Sequence, residues 1–152
     1  MKTAWIAALV ALTAAGPALA RPAPAAPVAE APPARAKGLV FALTTGLEDP
    51  MQAVAALRHA RVVLTEGGAE RATVVISGRA TVYLLPGYTM PADLQTELDA
   101  AKQAGVRVVV CEHALGRFGV PVEHAATMVE VVPKAILEIA ALVAQGHEVL
   151  NY

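Results

Sequence analysis

A single cysteine, Cys111, occurs in the 152-residue chain, at the end of the run "VRVVVC" and directly before "EHALGRF". The thiolate form of cysteine is a strong nucleophile, and its reactivity is set by the charges and donors around it. A thiol at a strand end that also opens a helix meets backbone N–H groups with no intrahelical partner and the positive end of the helix dipole. Both favour a negative sulfur. Glu112 acts the other way, since a neighbouring carboxylate disfavours a second negative charge. His113 supplies a proton or a compensating charge if its ring turns back. Arg117, farther along the same helix, is a cation for the sulfur or for an anion bound beside it. With no second cysteine the chain forms no internal disulfide. A free cysteine closing a valine-rich strand also suits the opposite role, a small inert hydrophobe in the core. Composition leaves both roles open.

The elements that must hold this residue alternate between short β-branched runs and longer helical periods. "GLVFAL", 38–43, is a continuous apolar run suited to a strand covered on both faces. After the loop "TTGLEDP", Asp49 and Pro50 read as the cap and first residue of a helix that runs to Gly67-Gly68. "ATVVIS", 72–77, is a second strand, and "RATVYLLPGY" a short helix ending before Pro86. Pro91 opens the helix "ADLQTELDAAKQA", and Gly105 ends it where a left-handed residue is wanted. "VRVVVC" is the third strand and "EHALGRF" one or two helical turns. "TMVEVV", 127–132, is a fourth strand, Pro133 starts the helix "KAILEIAALVAQ", and "HEVLNY" closes the chain as a strand. Strands separated by helices predict a three-layer α/β/α domain with a mainly parallel sheet of about five strands.

In open sheets of this kind ligands bind beyond the carboxyl ends of the strands. Cys111 lies at one such end. Thr44, Thr45, Ser77 and Arg79 follow the ends of the first two strands, so hydroxyls and a second cation are expected around the sulfur. The patch Tyr83, Leu84, Leu85 and Tyr88 is expected to form a subunit contact. His147 is expected to be structural. His59 with Arg58 and Arg61, and Asp93, Glu97 and Asp99, read as solvated helix faces.

The first third of the chain has a different character. Met1 to Ala20 carries Lys2, the apolar run "AWIAALVALTAA" and the small-residue end Ala18-Leu19-Ala20, the pattern of a secretory leader cleaved after Ala20. The expected location is the periplasm or the exterior, and the run is too short and interrupted to span a bilayer comfortably. "RPAPAAPVAEAPPARA", 21–36, is a Pro/Ala-rich linker. Residues 37–152 then form one domain. Removing Lys2 with the leader leaves 11 basic and 13 acidic side chains, a net charge of −2. With no basic block, nucleic acid is not an expected partner. Cys111, His113, His124 and Met128 have soft-metal ligand types, but no paired spacing such as C-x-x-C accompanies them, so no metal is assigned. Neither G-x-G-x-x-G nor a Walker spacing is present, and no cofactor is implied.

Four stretches, "GLVFALTTG", "ATVVISGRATVYLL", "AGVRVVVCEHALGRFGV" and "LVAQGHEVLNY", resemble the DsrE/DsrF-like family, which includes the TusD-type sulfurtransferases. The third is the most specific: a helix-ending glycine, a valine strand, C-x-x-A-L and then Gly119-Val120. The resemblance implies a three-layer fold, homo-oligomers such as trimers or hexamers, and a donor or acceptor protein for sulfane sulfur. It also implies that Cys111 carries that sulfur as a persulfide. Relay members of the family act in the cytoplasm as complexes of related chains, whereas this chain opens with an export signal. The other reading is a non-catalytic periplasmic binding or assembly module with Cys111 buried.

Overall fold

A computed structural model describes residues 37–152; the expected leader, 1–20, and linker, 21–36, lie outside the described residues. Five strands, β1 (Gly38–Leu43), β2 (Ala72–Ile76), β3 (Arg107–Cys111), β4 (Glu130–Val132) and β5 (His147–Asn151), form one sheet in the order β4-β3-β2-β1-β5. Every neighbouring pair is parallel. The helices are α1 (Pro50–Thr65), α2 (Ala92–Gln103), α3 (Glu112–Phe118), α4 (Val122–Ala126) and α5 (Ala135–Ala144), with a 3-10 helix over Gly78–Leu84.

The strand order explains the layers. From β1 to β4 the chain steps across the sheet in one direction, so crossovers of one hand put their helices on one face. Residues from α1 (Val54, Leu57), α2 (Leu94, Leu98) and α4 (Ala125) accordingly share one core with Phe41, Val74 and Val110. From β4 the chain crosses back over the whole sheet to pair β5 with β1. That return puts α5 on the opposite face, where Ala135 and Leu142 pack against Val40, Val75, Val109 and Val132.

Local sequence sets the breaks. Gly105 has φ 91°, a left-handed conformation open to glycine at little cost, and it turns the end of α2 into β3. Gly38 is needed for space: a Cβ there would lie 2.5 Å from the buried His147 ring, its register partner on β5.

The fourth strand is shorter than its β-branched run suggests. The N–H groups of Thr127, Met128 and Val129 donate to carbonyls of His124 and Ala125, so these residues wind off α4, a helix the sequence reading lacked. Met128 therefore does not start a strand. The following helix begins at Ala135, with Lys134 as its N-cap, two residues later than Pro133 suggested.

Arg58 and Arg61 are not simply solvated. They hold Glu97 at 2.9 and 3.4 Å and tie α1 to α2. The tyrosine patch is likewise corrected: Tyr83 and Leu84 are buried in the chain's own core, with Leu85 and Tyr88 packed against it. Tyr83 Oη donates to the Gly46 carbonyl at 2.6 Å, which pins the loop after β1. Burial pushes the Tyr83 phenol up from 10.0 to about 12, with smaller contributions from Tyr88, Glu48 and Asp49. The folded state thus favours the neutral phenol. That stability is complete below the unfolded value and is lost as pH rises through the folded one.

Tyr83→Phe should lower stability by about 1 kcal/mol near neutral pH, through the lost hydrogen bond and the stranded carbonyl. It should also remove the tyrosine-linked loss of stability between pH 10 and about 12. Denaturant midpoints across that range test both.

Candidate functional site at the carboxyl ends of β3 and β4

Arg107, Val109 and Cys111 alternate onto the α5 face of β3, while Val108 and Val110 face the larger core. β3 leaves the sheet through α3 toward the first face. Its neighbour β4 leaves through Pro133 and Lys134 into α5 on the other face. Where adjacent parallel strands send their chains to opposite faces, a crevice opens at their carboxyl ends. Cys111 stands at that crevice.

Register then selects the sulfur's partner. Cys111 lies opposite Val132, the last residue of β4, so the start of α5 follows within a few residues of the thiol. The backbone N–H of Ala135 donates to Cys111 Sγ at 3.4 Å. The sequence suggested that α3's own amides would serve the sulfur. Cys111 does occupy the N-cap position of α3, but its side chain makes no capping hydrogen bond. The donor comes instead from the first residue of the ten-residue α5, whose positive dipole end points the same way. A donor aimed at sulfur in a site shielded from water stabilises charge there more than it would in solvent.

The cysteine is 7 % exposed. A hollow of about 460 Å³ stands over it, lined by Ser77, Cys111, His113, Lys134, Ala135 and Ile136. Beside it, a second hollow of about 480 Å³ is lined by Glu112, His113, Gly116, Arg117, Pro133 and Lys134. His113 and Lys134 belong to both.

Of the residues marked in the sequence, Ser77 and His113 are at the sulfur's hollow, and Arg117 is in the adjoining one. Glu112 lines only the second hollow. Thr44, Thr45 and Arg79 line neither and are corrected as neighbours of the sulfur. β2 separates β1 from β3, which at normal strand spacing puts Thr44 roughly 10 Å to the side. Its Oγ1 donates to the Tyr152 carbonyl at 3.3 Å. Arg79 is 2.7 Å from Glu48 across the β1–α1 loop. The backbone N–H groups of Glu48 itself and of Gly46, with Arg79 adding to them, hold the Glu48 carboxyl below its ordinary value.

Lys134, Ala135 and Ile136 were missed. The available signal was Pro133 directly after a strand, which puts the next residues on the same rim as Cys111. What could not be read was that β4 lies beside β3. The junction is fastened by Arg107, which grips Glu130 on β4 through both carboxylate oxygens, at 2.8 and 2.5 Å, and also contacts Glu138 on α5. Hydrogen bonding to Arg107 holds Glu130 below the usual carboxylate range.

The sequence profile of the DsrE/DsrF-like family matches residues 37–152. The chain belongs to the DsrE/DsrF-like family. Among solved structures, this DsrE/DsrF-like protein is similar to MTH1491 from Methanobacterium thermoautotrophicum, a protein of unknown function. That match has 16% identity and a TM-score of 0.62, covering 76% of this chain and 98% of the other. The ychN protein from E. coli matches with 16% identity and a TM-score of 0.58, over 76% and 98% of the two chains. BT1422 from Bacteroides thetaiotaomicron, a conserved protein of unknown function, gives 16% identity and a TM-score of 0.60, over 76% and 95%. At these identities the likeness establishes the shared fold. A search of curated proteins finds no match.

In this DsrE/DsrF-like protein the side chain of Cys111 is buried, yet it lines the hollow above it. Iodoacetamide should label the folded protein, and Ile136→Ala, which trims a 69 % exposed side chain on the rim, should speed labelling with unchanged circular dichroism. Labelling that keeps pace only with global unfolding would show a sealed thiol.

Proposed function

We propose that the protein is an exported sulfur carrier, periplasmic or secreted after cleavage behind Ala20, in which Cys111 takes up sulfane sulfur as a persulfide and passes it on. The observation that carries this reading is the sulfur's position, with the Ala135 N–H at 3.4 Å and room for a second sulfur in the hollow above. Membership of a family that includes sulfur-relay proteins supports it.

In the loading step the Cys111 thiolate attacks the outer sulfur of a donor persulfide. The new bond joins Sγ to that sulfur, the donor's sulfur–sulfur bond breaks, and its electron pair leaves on the donor thiolate. Unloading repeats the exchange, with an acceptor thiolate attacking and Cys111 leaving. Sulfur oxidation levels are conserved over the pair of steps, so no external oxidant is needed. His113, on the wall of the hollow, is placed to give a proton to the departing thiolate. Repeated between separate donor and acceptor, the same steps amount to sulfurtransferase turnover. The opposing reading, an assembly module with an inert cysteine, rests on the low exposure of Cys111.

The working unit is a homo-oligomer, a trimer or hexamer, assembled through α5. Nine of the ten residues in AILEIAALVA are apolar, and the exception, Glu138, contacts Arg107. Ile136, Leu137 and Val143 are 69, 62 and 47 % exposed. A helix apolar all round is normally buried on all sides. The lack of a charged group pointing outward suits a second copy of the same uncharged surface. Among the described residues no helix is long and apolar enough to cross a membrane.

Treating the protein with inorganic polysulfide should add sulfur to its intact mass, removable by dithiothreitol and lost in Cys111→Ser; no adduct with any donor would leave the assembly-module reading. In light scattering after size exclusion, the wild type should run as an oligomer, and Leu137→Lys combined with Val143→Lys should dissociate it with unchanged circular dichroism. A wild type that is monomeric at all concentrations would refute the α5 interface.

A further inference from the structure

The two hollows beside Cys111 differ in chemistry although they share a wall. The one over the sulfur is lined by Ala135, Ile136 and Cys111 itself, with Ser77, His113 and Lys134, and holds no carboxylate. Its neighbour gathers His113, Arg117 and Lys134, with Glu112 as the opposing acid. Among the described residues, none of these three side chains takes part in an ion pair, whereas Arg58, Arg61, Arg79 and Arg107 are each paired with a glutamate. Arg58, Arg61 and Arg107 thus fasten elements together, while Arg117 and Lys134 line this cleft without an ion-pair partner among the described residues.

We infer that the two hollows form a single cleft for a small sulfur anion, with its charged head on Lys134, Arg117 and His113 and its sulfane sulfur over Cys111. This rests on the carrier reading above and adds the substrate class and Lys134 as a specificity residue. A sulfane sulfur is soft and weakly hydrated and suits the apolar hollow. A sulfonate or terminal thiolate keeps its charge only where cations replace its water. Lys134 stands at the junction, lining both hollows and carrying the peptide unit whose N–H meets Sγ.

With thiosulfate the step balances without an oxidant. The Cys111 thiolate bonds to the outer sulfur, the sulfur–sulfur bond to the sulfonate breaks, and its electron pair leaves as sulfite. One thiolate and one dianion become one persulfide anion and one dianion. An inorganic polysulfide reacts in the same way, its shortened chain departing as the anion.

The test compares rates of persulfide formation on Cys111 with thiosulfate, with inorganic polysulfide and with a neutral organic trisulfide, at low and moderate salt. Lys134→Gln and Arg117→Gln should each slow the two anionic donors about fivefold at low salt, less at higher salt, and leave the neutral donor unchanged. Arg71→Gln, which removes a charge from the opposite end of the sheet, should have no effect on any donor. A dependence on thiosulfate alone identifies a sulfonate head; a dependence on both anions identifies a general sulfur-anion cleft. Equal responses of neutral and anionic donors, or no response to either variant, would overturn the inference while leaving sulfur loading in place. If no donor loads Cys111, the carrier reading fails, and calorimetric titration of Cys111→Ser with thiosulfate decides the cleft separately. Binding that is lost in Cys111→Ser/Lys134→Gln retains the anion site, and absence of binding in Cys111→Ser removes it.

Discussion

The site depends on a reversal of winding between two adjacent strands. β3 and β4 run side by side and end level, with Cys111 opposite Val132, yet their chains leave for opposite faces of the sheet. Were α5 on the same face as α1, α2 and α4, the β3 exit would be roofed by its neighbour and the sulfur would be ordinary core. The divergence leaves the end of β3 partly uncovered and brings the first amide of α5 to Sγ. One topological choice therefore supplies both the opening and the donor. Arg107, at the other end of β3, grips β4 and α5 together, so the geometry at Cys111 is set by elements fastened several residues away.

The same reversal makes the two faces unequal. One face of the sheet is covered by residues of α1, α2, α3, α4 and the 3-10 segment, and the other by α5 with only Ala114 of α3 beside it. A short, nearly uncharged helix must cover four strands inward and still presents Ile136, Leu137 and Val143 outward. Ile136 belongs at once to that outer surface and to the rim over the cysteine. Assembly through α5 would thus bear directly on access to the thiol, linking subunit packing to whatever reaches the sulfur.

The architecture was legible because it follows from local signals. Short apolar, β-branched runs such as GLVFAL, ATVVI and VRVVVC, helices opened near Pro50 and Pro91 and closed at Gly105 and Gly146, and their strict alternation lead to a parallel α/β sheet. Cys111 at a strand end was legible for the same reason. Strand order was not, and the errors follow from that. Thr44, Thr45 and Arg79 follow strand ends as Cys111 does, but β2 stands between β1 and β3. Lys134, Ala135 and Ile136 carry no such signal, because nothing local to "VVPKAI" says which strand lies alongside. The tyrosine patch near Pro86 reads the same in sequence whether it faces a partner or, as here, the core. The extra turn of α4 was hidden by Val129 and its neighbours, whose β-branched character suggested a longer strand than backbone bonding allows.

The most direct measurement is a crystal structure of the protein after exposure to polysulfide. The account predicts an additional sulfur bonded to Cys111 Sγ, lying in the space between Ser77, His113 and Ile136, with the Ala135 amide still directed at the modified side chain. An unmodified Cys111 beneath a hollow closed by side chains, in crystals where sulfur has bound elsewhere, would contradict it.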